Sequence, residues 1–265
     1  MKKNKASVFF MWFVFISGMI YFFLPLYATF DFSLRMLKDR LSLEAYKEVF
    51  KDPNFYTNFG YSMVWSVVTI LICMLLFTWT AYWMHLKMPH WRPYIEFVSL
   101  LPFVVPAVVL IFGLIRMYSR VSVGSFNLLG TPILLIATYV VMAMPYMFRS
   151  VDAGLRAIDV RTLTEAGQCL GASRSQILFQ IIFPNLRVSL LNGLFLTFAI
   201  VIGEYTVASL LGWPSFGVYI RYAVAMKAYE PAALSLISFL MTWVIMMIVQ
   251  YVGRGSPGQT QIATH

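Results

Sequence analysis

Few residues in this chain carry chemistry that could act on a solute or a partner. Of 265 residues, 20 are Lys or Arg, 11 are Asp or Glu and three are His. His85, His90 and His265 lack metal-ligand spacing and read as solvated interfacial side chains. Cys73 and Cys169 suggest neither a disulfide framework nor a metal site. No His-Glu-x-x-His, Gly-x-Ser-x-Gly or paired His/Asp arrangement occurs, so an enzymatic reading has no support. Two places remain. One is the polar stretch Asp159–Pro184, which carries Arg161 and Arg174; the other is Glu204, an isolated carboxylate in Gly203-Glu204-Tyr205-Thr206.

The 159–184 stretch has its own local logic. Thr162-Leu-Thr-Glu165 reads as a capping box, with Thr162 taking an amide and Glu165 reaching back. The helix it opens runs through Ala166, Gly167 and Cys169 and stops at Gly171, a suitable left-handed residue. Ser173-Arg-Ser-Gln176 is a second capping box. Its helix is expected to bury Ile177, Leu178, Ile181 and Ile182 until Pro184 breaks it. The product is helix, glycine turn, helix: a shape suited to docking in a groove of a soluble partner.

The elements that must hold these residues are membrane spans. Hydrophobic residues make up 60% of the chain and charged residues 12%, against about 25% charged in soluble domains. A mean hydropathy of +0.75 agrees. The fold class expected is an all-α membrane protein with six transmembrane helices. Segments of about 20 mostly apolar residues fall at Val8–Phe30, Tyr61–Met84, Tyr94–Met117, Pro132–Phe148, Val188–Leu211 and Pro231–Val252. The fourth is shortest, with Thr131 and Arg149 placed to cap its start or snorkel at its end. The first follows Lys2, Lys3 and Lys5 but is too long for a signal-peptide core, and no small-residue cleavage site follows it. It reads as a retained span.

The net charge of +9 would invite a nucleic-acid reading in a soluble protein. Here no basic stripe lies on a soluble face, and the excess fits cytoplasmic loops facing anionic headgroups, the lipid bilayer being the partner. With the N-terminus inside, Lys and Arg divide eleven to nine in favour of the cytoplasmic side. The orientation therefore rests mainly on the N-terminal lysines.

Pro25, Pro102, Pro106 and Pro145 interrupt spans, and each removes a backbone donor. Such breaks persist in membranes where neighbouring helices or a water-filled path satisfy the freed carbonyl, so Pro102 and Pro106 mark either kinked packing or a pathway wall. The seven tryptophans mostly fall near span ends, as interfacial anchors do. In the first outer loop Ser42 is placed to cap a short helix whose Leu43, Tyr46, Lys47 and Phe50 share a face, ending at Asp52-Pro53. Glu204 lies about two-thirds of the way across the fifth span. A carboxylate there is costly, so it either lines a pathway for a cationic solute or is held by a neighbouring helix.

The spacing Glu165-Ala166-Gly167, then Gly171, then Ile181 and Phe183-Pro184 resembles the EAA loop of permease subunits of binding-protein-dependent (type I) ABC importers. That family's pattern is E-A-A-x3-G-x9-I-x-L-P. Gly167 replaces the third-position alanine, which suggests a slightly looser elbow, and Phe183 replaces leucine. The resemblance covers roughly residues 40 to 252. Leu43-Glu44-Ala45-Tyr46 with Asp52-Pro53 is similar to the family's segment before the second span, and Leu101–Pro106 to its proline-rich third span. Gly203-Glu204-Tyr205 is similar to the polyamine, iron(III) and aminophosphonate branches.

The resemblance implies a division of labour. No Gly-x4-Gly-Lys-Ser/Thr loop occurs, so this chain holds no cofactor, and ATP and Mg belong to a partner ATPase dimer. The other partners implied are a second permease subunit, a paralogue in polyamine-like systems, and an extracytoplasmic solute-binding protein. Glu165, Ala166, Gly167, Gly171, Ile181 and Pro184 would form the ATPase coupling surface. Arg161 and Arg174 either meet acidic residues of the ATPase or form a solvated face. Glu204, Tyr205, Pro102 and Pro106 would line the translocation pathway, with Trp213 as a wall residue. The implied organisation is a cytoplasmic N-terminus (1–7), a six-span permease domain (8–252) and a cytoplasmic tail (253–265), in a bacterial cytoplasmic membrane. The competing class is a secondary transporter with Glu204 as an ion or proton relay; no convincing inverted repeat supports it.

Overall fold

A computed structural model of the chain describes residues 5–37, 40–119, 122–123, 126–127 and 131–253. Lys2, Lys3, His265 and all but Gly253 of the expected tail lie outside them. Long apolar runs form the longest helices, α1 (Lys5–Leu34), α3 (Pro53–Lys87), α6 (Pro132–Ala157) and α12 (Glu230–Gly253), and Pro25 and Pro145 stay inside α1 and α6 without ending them. Among the described residues these four are long and apolar enough to cross a membrane alone, and six spans result if each of two bent pairs counts as one.

The bent pairs are where the expected spans and the structure differ. The third span divides into α4 (Arg92–Val104) and α5 (Ala107–Tyr118), which turn by 96° at Val105-Pro106. Pro102 stays inside α4, and Pro106, with extended backbone, opens α5. Proline at the helix start sacrifices no donor the helix needs. The fifth span is not one helix over Val188–Leu211. Its helix, α10 (Arg187–Ile202), has 16 residues, about 24 Å. It stops at Gly203, and a separate α11 (Thr206–Leu211) follows. At its other end α10 makes a 79° bend with the segment Arg174–Asn185.

Other expectations shift by local chemistry. α6 runs nine residues past Phe148, because Arg149 sits at an exposed helical position while Val151, Asp152 and Leu155 are buried. Thr131 occupies the position before α6 without a side-chain cap. A two-stranded antiparallel hairpin, β1 (Ser122–Val123) with β2 (Phe126–Asn127), joins α5 to α6.

The described parts of Met1–Tyr56 and Ile220–Met241 form one compact unit. In it α1 leaves nearly all of its apolar surface exposed, the condition of a helix apolar all round and lying in lipid. The short helix α2 (Glu44–Lys51) begins after Leu43, not after a Ser42 cap. It buries Ala45 and Val49, while Leu43 and Phe50 stay exposed. It ends at Asp52 as expected. Its Glu48–Lys51 pair (2.7 Å) holds the carboxyl below its usual range and the ammonium above. Tyr46 hydrogen-bonds Ser33 of α1 at 2.8 Å, and Phe32 stacks on Tyr229.

The second unit, the described parts of Thr57–Tyr219 and Thr242–His265, contains both sequence-selected sites. One apolar cluster joins Phe77, Ala81 and Met84 of α3 and Met147, Phe148 and Val151 of α6 to Ile177, Leu178 and Ile182 of the 159–184 loop. A second, around Trp65, Ile111, Leu135, Val201 and Val207, packs α5 and α11 against α3 and α6. Trp65 is therefore a core residue. Its ring meets Trp213 edge-on, and its indole nitrogen donates to the Pro214 carbonyl at 3.4 Å.

Candidate functional site

The loop is built as helix, turn, helix, with a different first cap. Asp159, not Thr162, precedes α7 (Val160–Cys169), and its carboxylate accepts the Thr162 amide (3.1 Å) and hydroxyl (2.7 Å). Aspartate so placed can cap one turn earlier than the threonine. Those bonds, the hydroxyl's first, hold the Asp159 carboxyl below its usual value. A depressed carboxyl stabilises the fold above its unfolded pKa and loses that contribution only as pH falls through the folded one, so the cap persists at neutral pH. Glu165 does not reach back. It accepts from Arg161 Nε at 3.0 Å on an exposed face.

Gly171 ends α7 as expected, at φ +78°. The amide of Ala172 donates to the Gly167 carbonyl (3.0 Å) and that of Gly171 to the Gln168 carbonyl (2.9 Å), which together form a Schellman closure. A Cβ on Gly171 would meet no atom within 4 Å, so a substitution costs conformational strain alone, roughly 1–2 kcal/mol.

The second capping box forms in full. Gln176 N donates to Ser173 Oγ (3.3 Å), and Ser173 N to the Gln176 side-chain oxygen (2.8 Å). From it run α8 (Arg174–Gln176), a π-helical stretch Ile177–Ile182 and α9 (Phe183–Asn185). Pro184 does not end the helix. It lies within α9 after the π-helical stretch, the Asn185 side-chain amide donates to the Ile181 carbonyl (2.8 Å), and the bend follows at Leu186. Ile177, Leu178 and Ile182 are buried as expected, and Ile181 half-buried. Each full burial stabilises by about 1.5–3 kcal/mol.

Gly167 is not a loosening but a close contact. A Cβ there would lie 2.9 Å from Ile177 Cγ1 and 3.1 Å from Ile181 Cδ1. The two arms of the loop thus pack side to side. Their outward surface carries Glu165, Ala166 and Pro184, all exposed, with Arg161. Arg174 turns the other way, its guanidinium 5.8 Å from the ring centre of Trp83 on α3. Tyr82 on α3 also meets Thr164 of α7, oxygen to oxygen at 3.1 Å in the interior.

Beside the loop lies a charge cluster that the motif reading missed. Asp152 on α6, 3% exposed, receives His85 Nε2 from α3 (2.8 Å), Arg92 Nη2 from α4 (3.2 Å) and Arg156 from its own helix. Glu96 on α4 binds Arg92 Nε (3.0 Å) and Arg156 Nη2 (2.7 Å). His85 is therefore an ion-network member, not a solvated interfacial residue. Three helices are tied together one turn before the loop begins. The readable signals were two opposite-charge pairs at i, i+4, Arg92/Glu96 and Asp152/Arg156. Their convergence, and His85 with them, was not readable.

At Glu204 the chain leaves α10, and the carboxylate, 8% exposed, turns onto the start of α11. It accepts the Val207 amide (3.0 Å), the Ala208 amide (3.3 Å) and the Tyr139 hydroxyl (3.4 Å). Its backbone carbonyl accepts Ser215 Oγ (3.3 Å), and the same oxygen caps the Val218 amide (3.2 Å). Of the two roles open for Glu204, these contacts favour holding the break together. Tyr205 is exposed beside it. Pro102 and Pro106 lie at the other break, on α4 and α5, and no described contact joins them to Glu204.

A prediction separates the two roles. If Glu204 is a cap, Glu204→Gln, which keeps an acceptor for one amide, leaves most uptake intact. Glu204→Ala strands the two backbone donors and the Tyr139 hydroxyl, each buried, at about 1–3 kcal/mol per unsatisfied group. Melting temperature and uptake measured on both variants decide it; equal loss of uptake with unchanged melting would favour the pathway role.

The sequence profile described as "Binding-protein-dependent transport system inner membrane component" matches residues 90–255. The chain is 26% identical over 195 residues to a probable sulfate transport system permease protein of Prototheca wickerhamii, covering 69% of this chain and 72% of that one. It is 27% identical over 184 residues to a spermidine/putrescine transport system permease protein of Haemophilus influenzae, covering 65% and 64%. In fold it is similar to a chain of a bacterial alginate ABC transporter, solved in complex with an alginate pentasaccharide-bound periplasmic protein. The TM-score is 0.69 at 15% identity, covering 93% of this chain and 94% of that one. With the loop, its two helical arms and its buried anchor in place, the chain belongs to the binding-protein-dependent transport system inner membrane components, the permease subunits of type I ABC importers.

Proposed function

We propose that this subunit forms part of the translocation pathway for a small polar or cationic solute, polyamine- or aminophosphonate-like, and is driven by an ATPase dimer docked on the 159–184 loop. The observation that carries the coupling assignment is the loop's two-faced construction. Ile177, Leu178 and Ile182 anchor it in the transmembrane core while Glu165, Ala166 and Pro184 face outward. Movement of a partner on that outer face is transmitted to α3, α6 and α10 as a rigid-body shift. ATP and Mg are held by the ATPase subunits. An extracytoplasmic binding protein delivers the solute, and a second permease, a paralogue, completes the pathway. The loop side is cytoplasmic, which places both termini there too.

The polyamine-like solute is supported by the spermidine/putrescine relative, not by Glu204, whose carboxylate is engaged by protein donors. Uptake of labelled putrescine, with sulfate as the competing case, tests it.

Co-purification with the ATPase subunit tests the coupling. Glu165, whose described partner is Arg161, is 62% exposed at its side chain, so Glu165→Lys is expected to leave melting unchanged while ATPase retention falls at least tenfold. Gly171→Asn, which tolerates the left-handed region, should retain more ATPase than Gly171→Val. Full assembly and uptake in Glu165→Lys and Gly171→Val would remove the loop from coupling.

A further inference from the structure

The membrane-facing side of the second unit carries a groove with a polar end, and its chemistry matches one class of molecule. Along α3, Ile72, Leu75, Leu76 and Trp79 form one wall, and Leu178, Phe179 and Phe183 of the coupling loop form the other, around about 450 Å³. The walls are apolar and open: Leu75, Leu76 and Phe179 are each close to half exposed. From Ile72 to Thr80 the groove spans about 12 Å of helix, against about 15 Å for the hydrocarbon of one leaflet.

At its loop end the groove meets a second cavity of about 50 Å³, and Trp79 lines both. This smaller space has a different character. Tyr82, Thr164 and Gln168 contribute polar groups, and Lys87 and Arg174 contribute two cations. Among the described residues neither cation lies within ion-pair distance of a carboxylate, whereas Arg92, Arg156 and Arg161 nearby are all paired. Trp79 and Trp83 mark the depth at which aromatic rings meet headgroups, and lysine at a helix end snorkels to the same level.

We infer that this groove binds an anionic phospholipid of the loop-side leaflet, with an acyl chain along α3 and the phosphate between Lys87 and Arg174. The charge pattern selects the occupant. A protein partner would have to place an acidic group beside Trp79 at the edge of the hydrocarbon, while an anionic headgroup with its chain already lies there. Because Leu178, Phe179 and Arg174 belong to the coupling loop, the lipid braces the loop against α3. The inference rests on the proposed cytoplasmic side of the loop only for naming the leaflet.

The test is native mass spectrometry of the full transporter complex, released from nanodiscs containing phosphatidylglycerol and phosphatidylcholine in equal amounts. The complex is expected to retain phosphatidylglycerol preferentially. The double variant Lys87→Gln/Arg174→Gln and the groove-filling Leu76→Trp should each lower that retention at least fivefold, while Lys51→Gln leaves it unchanged. A photoreactive phenylalanine analogue at position 179 should label lipid. Equal retention of the two lipids, retention unaffected by the variants, displacement by glycerol phosphate alone, or labelling of another subunit would each overturn the site. ATPase binding is scored separately by co-purification of each variant, so loss of lipid from complexes that keep the ATPase is distinguished from loss of coupling.

Discussion

Asp152→Ala is expected to destabilise the assembled subunit by about 3 kcal/mol, near the lower end of the range for breaking a buried ion pair. Its carboxylate is the acceptor on which His85, Arg92 and Arg156 converge, and only 4% of its side chain is exposed. Alanine would leave two guanidinium groups and an imidazole facing one another, with Glu96 as the remaining carboxylate of the cluster. The lower end applies because half of Arg156 and 30% of Arg92 are exposed, so water screens part of the repulsion. The loss is still a large fraction of a total stability of about 5–15 kcal/mol.

The measurement is thermal unfolding of the purified complex, together with the amount reaching the membrane. Asp152→Asn should fall between parent and alanine, since it keeps one acceptor. Adding Arg156→Gln to Asp152→Asn should recover part of the loss by removing an uncompensated charge. Melting of Asp152→Ala within a degree of the parent would show that the network contributes nothing.

The second large effect is expected at Gly217→Ala. A methyl group there would sit 2.6 Å from the carbonyl oxygen of Glu204 and 2.9 Å from its carbon, both backbone atoms. A flexible side chain could move aside, but this carbonyl is fixed by Ser215, and the following chain by the carboxylate of Glu204 on α11. Overpacking of this kind costs about 1–3 kcal/mol, and its strain falls on the break between α10 and α11. Uptake is therefore expected to drop at least tenfold at equal membrane abundance. Gly113→Ala is the control, because nothing lies within 4 Å of that position. Equal uptake by the two variants would show that the break tolerates displacement.

These two sites show where sequence reading stopped. The second capping box was legible because Ser173 and Gln176 are three residues apart and their bonds are local. Gly171 was legible for the same reason. The first box misled because Asp159 offered an earlier cap with two acceptors, and both satisfy Thr162. The face of α2 was misread because period alone could not say which side of an eight-residue helix meets a neighbour.

The sequence by itself determined that this chain crosses a membrane, roughly where, and which loop carries two capped helical arms around a glycine turn. Those properties depend on hydrophobic runs, caps and spacings within some twenty residues. Tertiary structure alone decided that the fifth span is broken at Gly203, that Asp152 gathers partners from three helices, and that Glu204 is held between α11 and Tyr139. The Asp152 cluster depends on groups far apart in the chain, His85 and Asp152 being 67 positions apart, and Glu204 takes the Tyr139 hydroxyl from 65 positions away besides its local amides. A buried charge or a freed carbonyl is stable only when such partners arrive, and their arrival is a property of packing.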